Sequence, residues 1–287
     1  DIRYRWTPDR GVSGQASEPS LSHVTSADGT PIAVFTSGHG PPVVLVHGAT
    51  ADHTTFRVIA PMLARHRTVH ALDRRGRGVS GDGPTYAIER EYEDVAAVID
   101  AVAAAAGRPV DVVAHSFGGA VALGAATLTT NLRRLAIYES AAAVPGLDAP
   151  SADVVARLTE LERADDRQGM LRVFMTDVVG VDAAKLAEFE ASPVYPERIA
   201  AAHTVLREMT AAGPPDPAAA MRWAADIRAP VLQLLGGASL PFFRETTLLL
   251  DAALPDGRVV VLDGQRHAAH HDAADVFVAE VEAFLGG

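Results

Sequence analysis

The chain has 287 residues, 48% of them hydrophobic and 21% charged, which supplies a core for one large domain, or for a domain with an insertion, and argues against a disordered chain. Its 25 Lys and Arg against 36 Asp and Glu give a formal charge of −11, which disfavours a general nucleic-acid or anionic-membrane surface. The absence of cysteine rules out a disulfide scaffold, a thiolate nucleophile, an iron–sulfur cluster and Cys-ligated zinc.

Residues 1–20 are polar, rich in Gly, Ser and Pro, and read as an extended lead-in without an apolar run of signal-peptide length. A cytoplasmic location is the expectation, with export of a processed chain left open. No uncharged apolar window of about 18 residues predicts a membrane span. Between Leu21 and Ser37 two strand-like segments flank Ala27-Asp28-Gly29-Thr30, where Asp-Gly signals a hairpin. After Pro41-Pro42 the β-branched run Val43–Val46 predicts a buried strand ending at Gly48, followed by an amphipathic segment over 54–64. The alternation continues with a strand ending at Asp73, a helix over 87–106, a strand ending at Ser116, a helix over 117–128 and a strand ending near Glu139.

That rhythm predicts βαβ units and a mostly parallel sheet flanked by helices, an α/β fold. It breaks over 141–226, which offers helical pieces at 151–164, 168–178, 182–190 and 197–211 and then the breaker at 211–217. The pattern resumes with strands at 230–237 and 258–264 and helices over 241–253 and 272–285. The expected organisation is therefore a core in two parts, 21–140 and 227–287, separated by a helical cap insertion over 141–226.

The segment Val110–Leu123 carries the chemistry. A buried strand runs into Ser116 and a helix follows at once, with the small residues Ala114 and Gly118 two positions to either side. A nucleophile on so sharp a turn needs small neighbours, and the helix N-terminus behind it favours the negative charge that develops in acyl transfer. A helix-capping serine is the plain alternative.

Four segments together resemble the α/β-hydrolase fold family in its serine esterase- and lipase-like branch: Ala114-His115-Ser116-Phe117-Gly118, His47-Gly48, the loop Asp73–Ser80 and His267 after the last strand. Ala114 stands where the family usually has glycine. The resemblance implies Ser116 as nucleophile, His267 as general base and an oxyanion hole formed by the backbone N–H groups of Phe117 and Ala49. His270 and His271 compete with His267 but are expected at the start of the final helix. His47 is expected to organise its loop. The His267–Asp272 group lacks the His-Glu-x-x-His pattern and an acidic cluster, so neither a metal nor an organic cofactor is expected.

The triad acid departs from the family's common placement. The loop after the penultimate strand reads Gly236-Gly237-Ala238-Ser239-Leu240-Pro241 and holds no carboxylate, with Ser239 in the expected place. The wider family also places the acid at the end of the strand after the nucleophile's helix, here Glu139. Asp263 and Asp226 are the next acids to inspect. The Arg-rich loop of Arg74, Arg75 and Arg77 lacks a phosphate-loop signature and reads as structural support.

Serine rather than aspartate argues against the dehalogenase and epoxide hydrolase branches. The expected activity is cleavage of a carboxylic ester, lactone or thioester through an acyl-enzyme. Alternatives on the same fold are natural-product tailoring, by non-hydrolytic cyclisation, acyl transfer or C–C cleavage, and non-catalytic ligand binding. The expected partner is a largely apolar small-molecule acyl substrate, with no nucleic acid. Leu171, Val173, Phe174, Met175, Met209, Met221, Trp223 and the Ala141–Val144 run are candidate lid lining.

Overall fold

The computed structural model describes residues 18–142, 151–211 and 223–287. The lead-in through residue 17, residues 143 and 144 of the expected lid lining, Met221 and nearly all of the Pro-rich breaker lie outside them.

An eight-stranded sheet forms from β1 (Ser20–Thr25), β2 (Pro31–Gly38), β3 (Pro42–Val46), β4 (Thr68–Leu72), β5 (Val110–His115), β6 (Leu132–Tyr138), β7 (Val231–Gly236) and β8 (Gly257–Leu262). Its order is β1-β2-β4-β3-β5-β6-β7-β8. The first two strands make the expected hairpin, with Ser20 opposite Thr36 and Thr25 opposite Pro31, and β2 meets β4 antiparallel. All remaining pairs are parallel.

The helices are α1 (Ile59–Leu63), α2 (Ile88–Ala106), α3 (Phe117–Ala125), α4 (Ala152–Arg163), α5 (Arg167–Val173), α6 (Ala183–Glu190), α7 (Tyr195–Ala201), α8 (Val205–Ala211), α9 (Pro241–Ala253), α10 (Ala269–Asp272) and α11 (Ala274–Gly286). Along β3 the side chains alternate between the two faces of the sheet, as strand pleating requires. Val44 and Val46 pack with Val95, Ile99 and Val121 of α2 and α3. Val43 and Leu45 pack with Ile59, Leu63, Phe277 and Val281 of α1 and α11. Burial on both faces explains why β3, β5 and β7 read as nearly unbroken apolar runs.

The described residues between β6 and β7 are helical, and they build a core of their own around Leu158, Met170, Leu171 and Val205. Val173, Phe174, Met175 and Met209 belong to that cluster, so five of the expected lining residues are occupied in holding the helices to one another. Trp223 packs instead against the α2–α3 side of the sheet. Three boundaries also differ from expectation. The helix expected over 168–178 passes at Phe174 into a π-helical turn ending at Val178, and that over 197–211 divides into α7, a 3₁₀ turn (Ala202–Thr204) and α8. The final helix is interrupted at Ala273, where φ −138° and ψ 46° leave the helical region, so His270 and His271 lie on the separate turn α10. No helix among the described residues is long and apolar enough to cross a membrane.

Because β3, β5, β6, β7 and β8 run the same way, the segments that follow them emerge at one edge of the sheet. Ser116, Glu139, His267 and the loop after Val46 therefore meet there.

Candidate active site

Ser116 sits between β5 and α3 at φ 55° and ψ −124°, a conformation costing a non-glycine residue about 1–3 kcal/mol. The surroundings impose it. Ser116 N donates to Tyr138 O at 3.0 Å, while Gly119 N and Ala141 N donate to Ser116 O at 2.8 and 3.1 Å. Gly118 is required by close approach, since a Cβ there would lie 2.3 Å from the His47 carbonyl oxygen.

The loop after β3 is fixed by His47, which is fully buried. Its Nδ1 donates to Gly48 O at 2.9 Å and its Nε2 accepts from Arg74 N at 3.0 Å. That pairing demands the neutral ring, and burial together with Arg74 and Arg77 holds its pKa well below the usual value. His47 thus organises the loop as expected. The N–H groups of Ala49 and Phe117 donate to no acceptor among the described residues.

His267 follows β8 and is joined through Nδ1 to Glu139 Oε2 at 2.6 Å. The other oxygen of Glu139, Oε1, accepts from Gly236 N at 2.7 Å. The carboxylate is 1% exposed, so both its oxygens are committed where water cannot substitute. With Nδ1 on the carboxylate, Nε2 is the nitrogen left for a hydroxyl. Ser116 Oγ makes no hydrogen bond to the ring; the two residues instead share His115 as a neighbour. The His115 ring lies 4.5 Å from that of His267, and Glu139 is the carboxylate that bonds His267 among the described residues.

Ser239 does not bond the imidazole. Its buried Oγ has no partner and lies 2.5 Å from where a Cβ on Gly236 would fall, a point that is also 2.8 Å from Glu139 Oε1. Neither Asp263 nor Asp226 reaches His267. His270 is buried against the rings of His115 and Phe277, with centroids 4.3 and 6.2 Å away, and the His271 ring lies 4.2 Å from that of His270, tilted by 45°. Burial pushes both pKa values down, that of His271 to about 4, so both rings are neutral at pH 7.

Three residues that sequence reasoning missed hold His267. His115 Nε2 donates to its carbonyl oxygen at 2.9 Å, Tyr138 donates its hydroxyl to Arg266 O, and Phe243 stacks on the imidazole at 4.2 Å and 15°. His115 and Tyr138 each directly precede a residue singled out from the sequence, and that adjacency is the signal that was available.

The Arg-rich loop is neutralised by carboxylates. Arg74 makes a two-pronged pair with Glu91, both distances 2.7 Å, and also reaches Glu208 of α8 at 2.5 Å. Arg75 pairs with Asp94 and Asp28, and Arg77 with Glu208 and Glu91. Asp73 accepts from the backbone of His53 and Val79 and also bonds the His53 ring. This is a brace between the sheet edge and the helical segment.

Residues 43–280 match the family described as the alpha/beta hydrolase family. The crystal structure of an alpha/beta hydrolase from Sphaerobacter thermophilus is 39% identical, covers 90% of this chain and 99% of that one, and superposes with a TM-score of 0.78. N-formylmaleamate deformylase of Pseudomonas putida is 33% identical over 111 residues, 38% of this chain and 41% of that protein. Pimeloyl-[acyl-carrier protein] methyl ester esterase of Xanthomonas axonopodis is 35% identical over 116 residues, 40% of this chain and 43% of that protein. The chain spans less than half the length of these curated relatives, and as little as 17% of others.

Proposed function

The chain belongs to the alpha/beta hydrolase family, and from that premise we propose that it is a serine hydrolase cleaving a carboxylic ester, lactone or thioester through an acyl-enzyme. The observation that carries the reading is the bond of 2.6 Å between His267 Nδ1 and Glu139, whose second oxygen is held by Gly236 N. A buried, fully bonded carboxylate on one ring nitrogen fixes the tautomer that makes the other nitrogen a base. Relatives named as a deformylase and a methyl ester esterase support the acyl-transfer class.

In the cycle that follows, His267 Nε2 takes the proton of Ser116 Oγ as the oxygen attacks the acyl carbon. The carbonyl oxygen gains charge and settles on the N–H groups of Phe117 and Ala49, each such donor contributing about 3–4 kcal/mol. The imidazolium is balanced by Glu139 and returns its proton to the leaving group. Water, activated at the same nitrogen, then attacks the acyl-enzyme and releases the acid and Ser116.

The experiment is intact and peptide mass spectrometry after treatment with a small fluorophosphonate, with Ser116→Ala as control. One adduct on Ser116, absent from the variant, supports the reading. No adduct on a folded protein argues for ligand binding on a hydrolase fold instead.

A further inference from the structure

The arginines near this edge fall into two kinds. Arg74, Arg75 and Arg77 each touch carboxylates. Arg198 of α7 does not. Its Nη1 donates to Thr50 O and its Nη2 to Thr55 Oγ1, both at 3.0 Å, and no carboxylate lies within ion-pair distance among the described residues. Asp52 and Glu197 act on it only from farther away, and Arg57 opposes them. A guanidinium has five N–H donors, and these two bonds leave three; Nε has no partner and is not sealed from solvent.

The place is informative. Arg198 arrives from the helical segment onto the loop whose Ala49 N–H is the proposed oxyanion donor, and Thr50 is itself held at φ 51°. The backbone from Ala49 N to Thr50 O and one hydrogen bond join that donor to the guanidinium, a path of at most about 10 Å. Its charge is also felt at His47, His115, His270 and His271, which surround the Ser116 turn. Burial draws its pKa down only to about 10, so it remains a cation at pH 7. Such a charge, half-buried and without a counterion, gains most from an anion that brings its own oxygens.

We propose that Arg198 forms an anion subsite beside the oxyanion loop, and that the substrate carries a carboxylate a few bonds from the scissile carbonyl. This rests on the serine-hydrolase reading and narrows the largely apolar acyl substrate expected from the sequence to a half-acid, apolar elsewhere. Arg74, Arg75 and Arg77 cannot serve, because their charge is already matched.

The test compares two anionic esters, mono-4-nitrophenyl glutarate and 4-acetoxybenzoate, each with its neutral methyl ester. They place the acid on the acyl side and on the leaving-group side respectively. The expected result is a wild-type preference in kcat/KM for the anion in at least one pair, expressed in KM, which Arg198→Gln lowers by about 10- to 100-fold and Arg198→Lys partly restores. A merely structural tie would lower both members of a pair together, and that outcome overturns the proposal. If Arg198→Gln does not fold, the wild type decides, and no preference in either pair overturns it. If no ester is turned over and Ser116 takes no fluorophosphonate, the hydrolase reading has failed separately. The subsite is then judged by calorimetric titration of glutarate into Ser116→Ala protein with and without Arg198→Gln. Binding that depends on Arg198 supports it, and equal or absent binding overturns it.

Discussion

The segments after β6 and β7 emerge side by side at one sheet edge and have divided the work of orienting His267 between them. The first carries the acid: Glu139, at φ 48°, turns its buried carboxylate onto the imidazole. The second carries no acid, and the last residue of β7 itself contributes a backbone donor, Gly236 N, to the same carboxylate. The side chain in the family's more common acid position, Ser239, is left buried and unpartnered. In this chain the carboxylate that reaches His267 Nδ1 comes from the segment after β6, and the neighbouring strand β7 holds that carboxylate by a hydrogen bond.

The sharpest way to break that comparison is Glu139→Gln. The amide keeps the size but stabilises neither the productive tautomer nor the imidazolium, so kcat should fall about 10⁴-fold with KM little changed. Steady-state kinetics on the ester that the wild type turns over best is the measurement. A fall of less than tenfold would mean the acid lies elsewhere.

Next in size is Gly236→Ala, which attacks the other partner. Its methyl would lie 2.5 Å from Ser239 Oγ, 2.6 Å from Gln265 O and 2.8 Å from Glu139 Oε1. Relief requires the carboxylate or the 265 backbone to move. The expectation is a loss of about 1–3 kcal/mol in stability and about 10- to 100-fold in kcat, read by denaturant unfolding and kinetics on the same preparation. Unchanged activity would show that the Gly236 N bond contributes nothing to orienting the acid.

How much of this arrangement was legible depends on distance along the chain. The Ser116 turn was readable because its demands are local: a strand, a serine and small residues within two positions. Glu139 and His267 were readable because each ends or follows a strand, and parallel strands bring such ends together. What escaped were ties made by side chains whose partners lie over a hundred residues away: His115 to the His267 carbonyl, Glu208 to Arg74 and Arg198 to Thr50. Nothing in the local pattern of α7 or α8 distinguishes those residues from solvated charges. The apolar residues of the helical segment misled for a related reason, since amphipathic spacing shows that a face is buried but not against what.

The histidines after β8 sharpen the comparison from the other side, because the buried His270 and half-buried His271 are neutral while His267 has a carboxylate. For His271, with a folded pKa of about 4 against 6.5 unfolded, the unfolded chain binds more protons between those values. Its share of stability is complete above about pH 6.5 and is lost as pH falls towards 4. His270 adds in the same direction. Thermal melts should lose stability across that window, and His271→Gln should remove on the order of 1–2 kcal/mol of the dependence. A melting temperature flat from pH 7 to 4.5 would show that these rings are not neutral in the fold.

The smallest effect belongs to Ser239→Ala, and it is the most discriminating for its size. The hydroxyl is buried and bonds to nothing, His267 included, so it neither orients the base nor satisfies a partner. Removing an unpaired buried hydroxyl relieves a desolvation penalty, so stability should stay level or rise by about 1 kcal/mol. Turnover should stay within about threefold of wild type. Should Ser239→Ala instead lose more activity than Glu139→Gln, the segment after β7 would be orienting the imidazole after all. The bond between His267 and Glu139 would then be a resting-state pairing that the reaction must break.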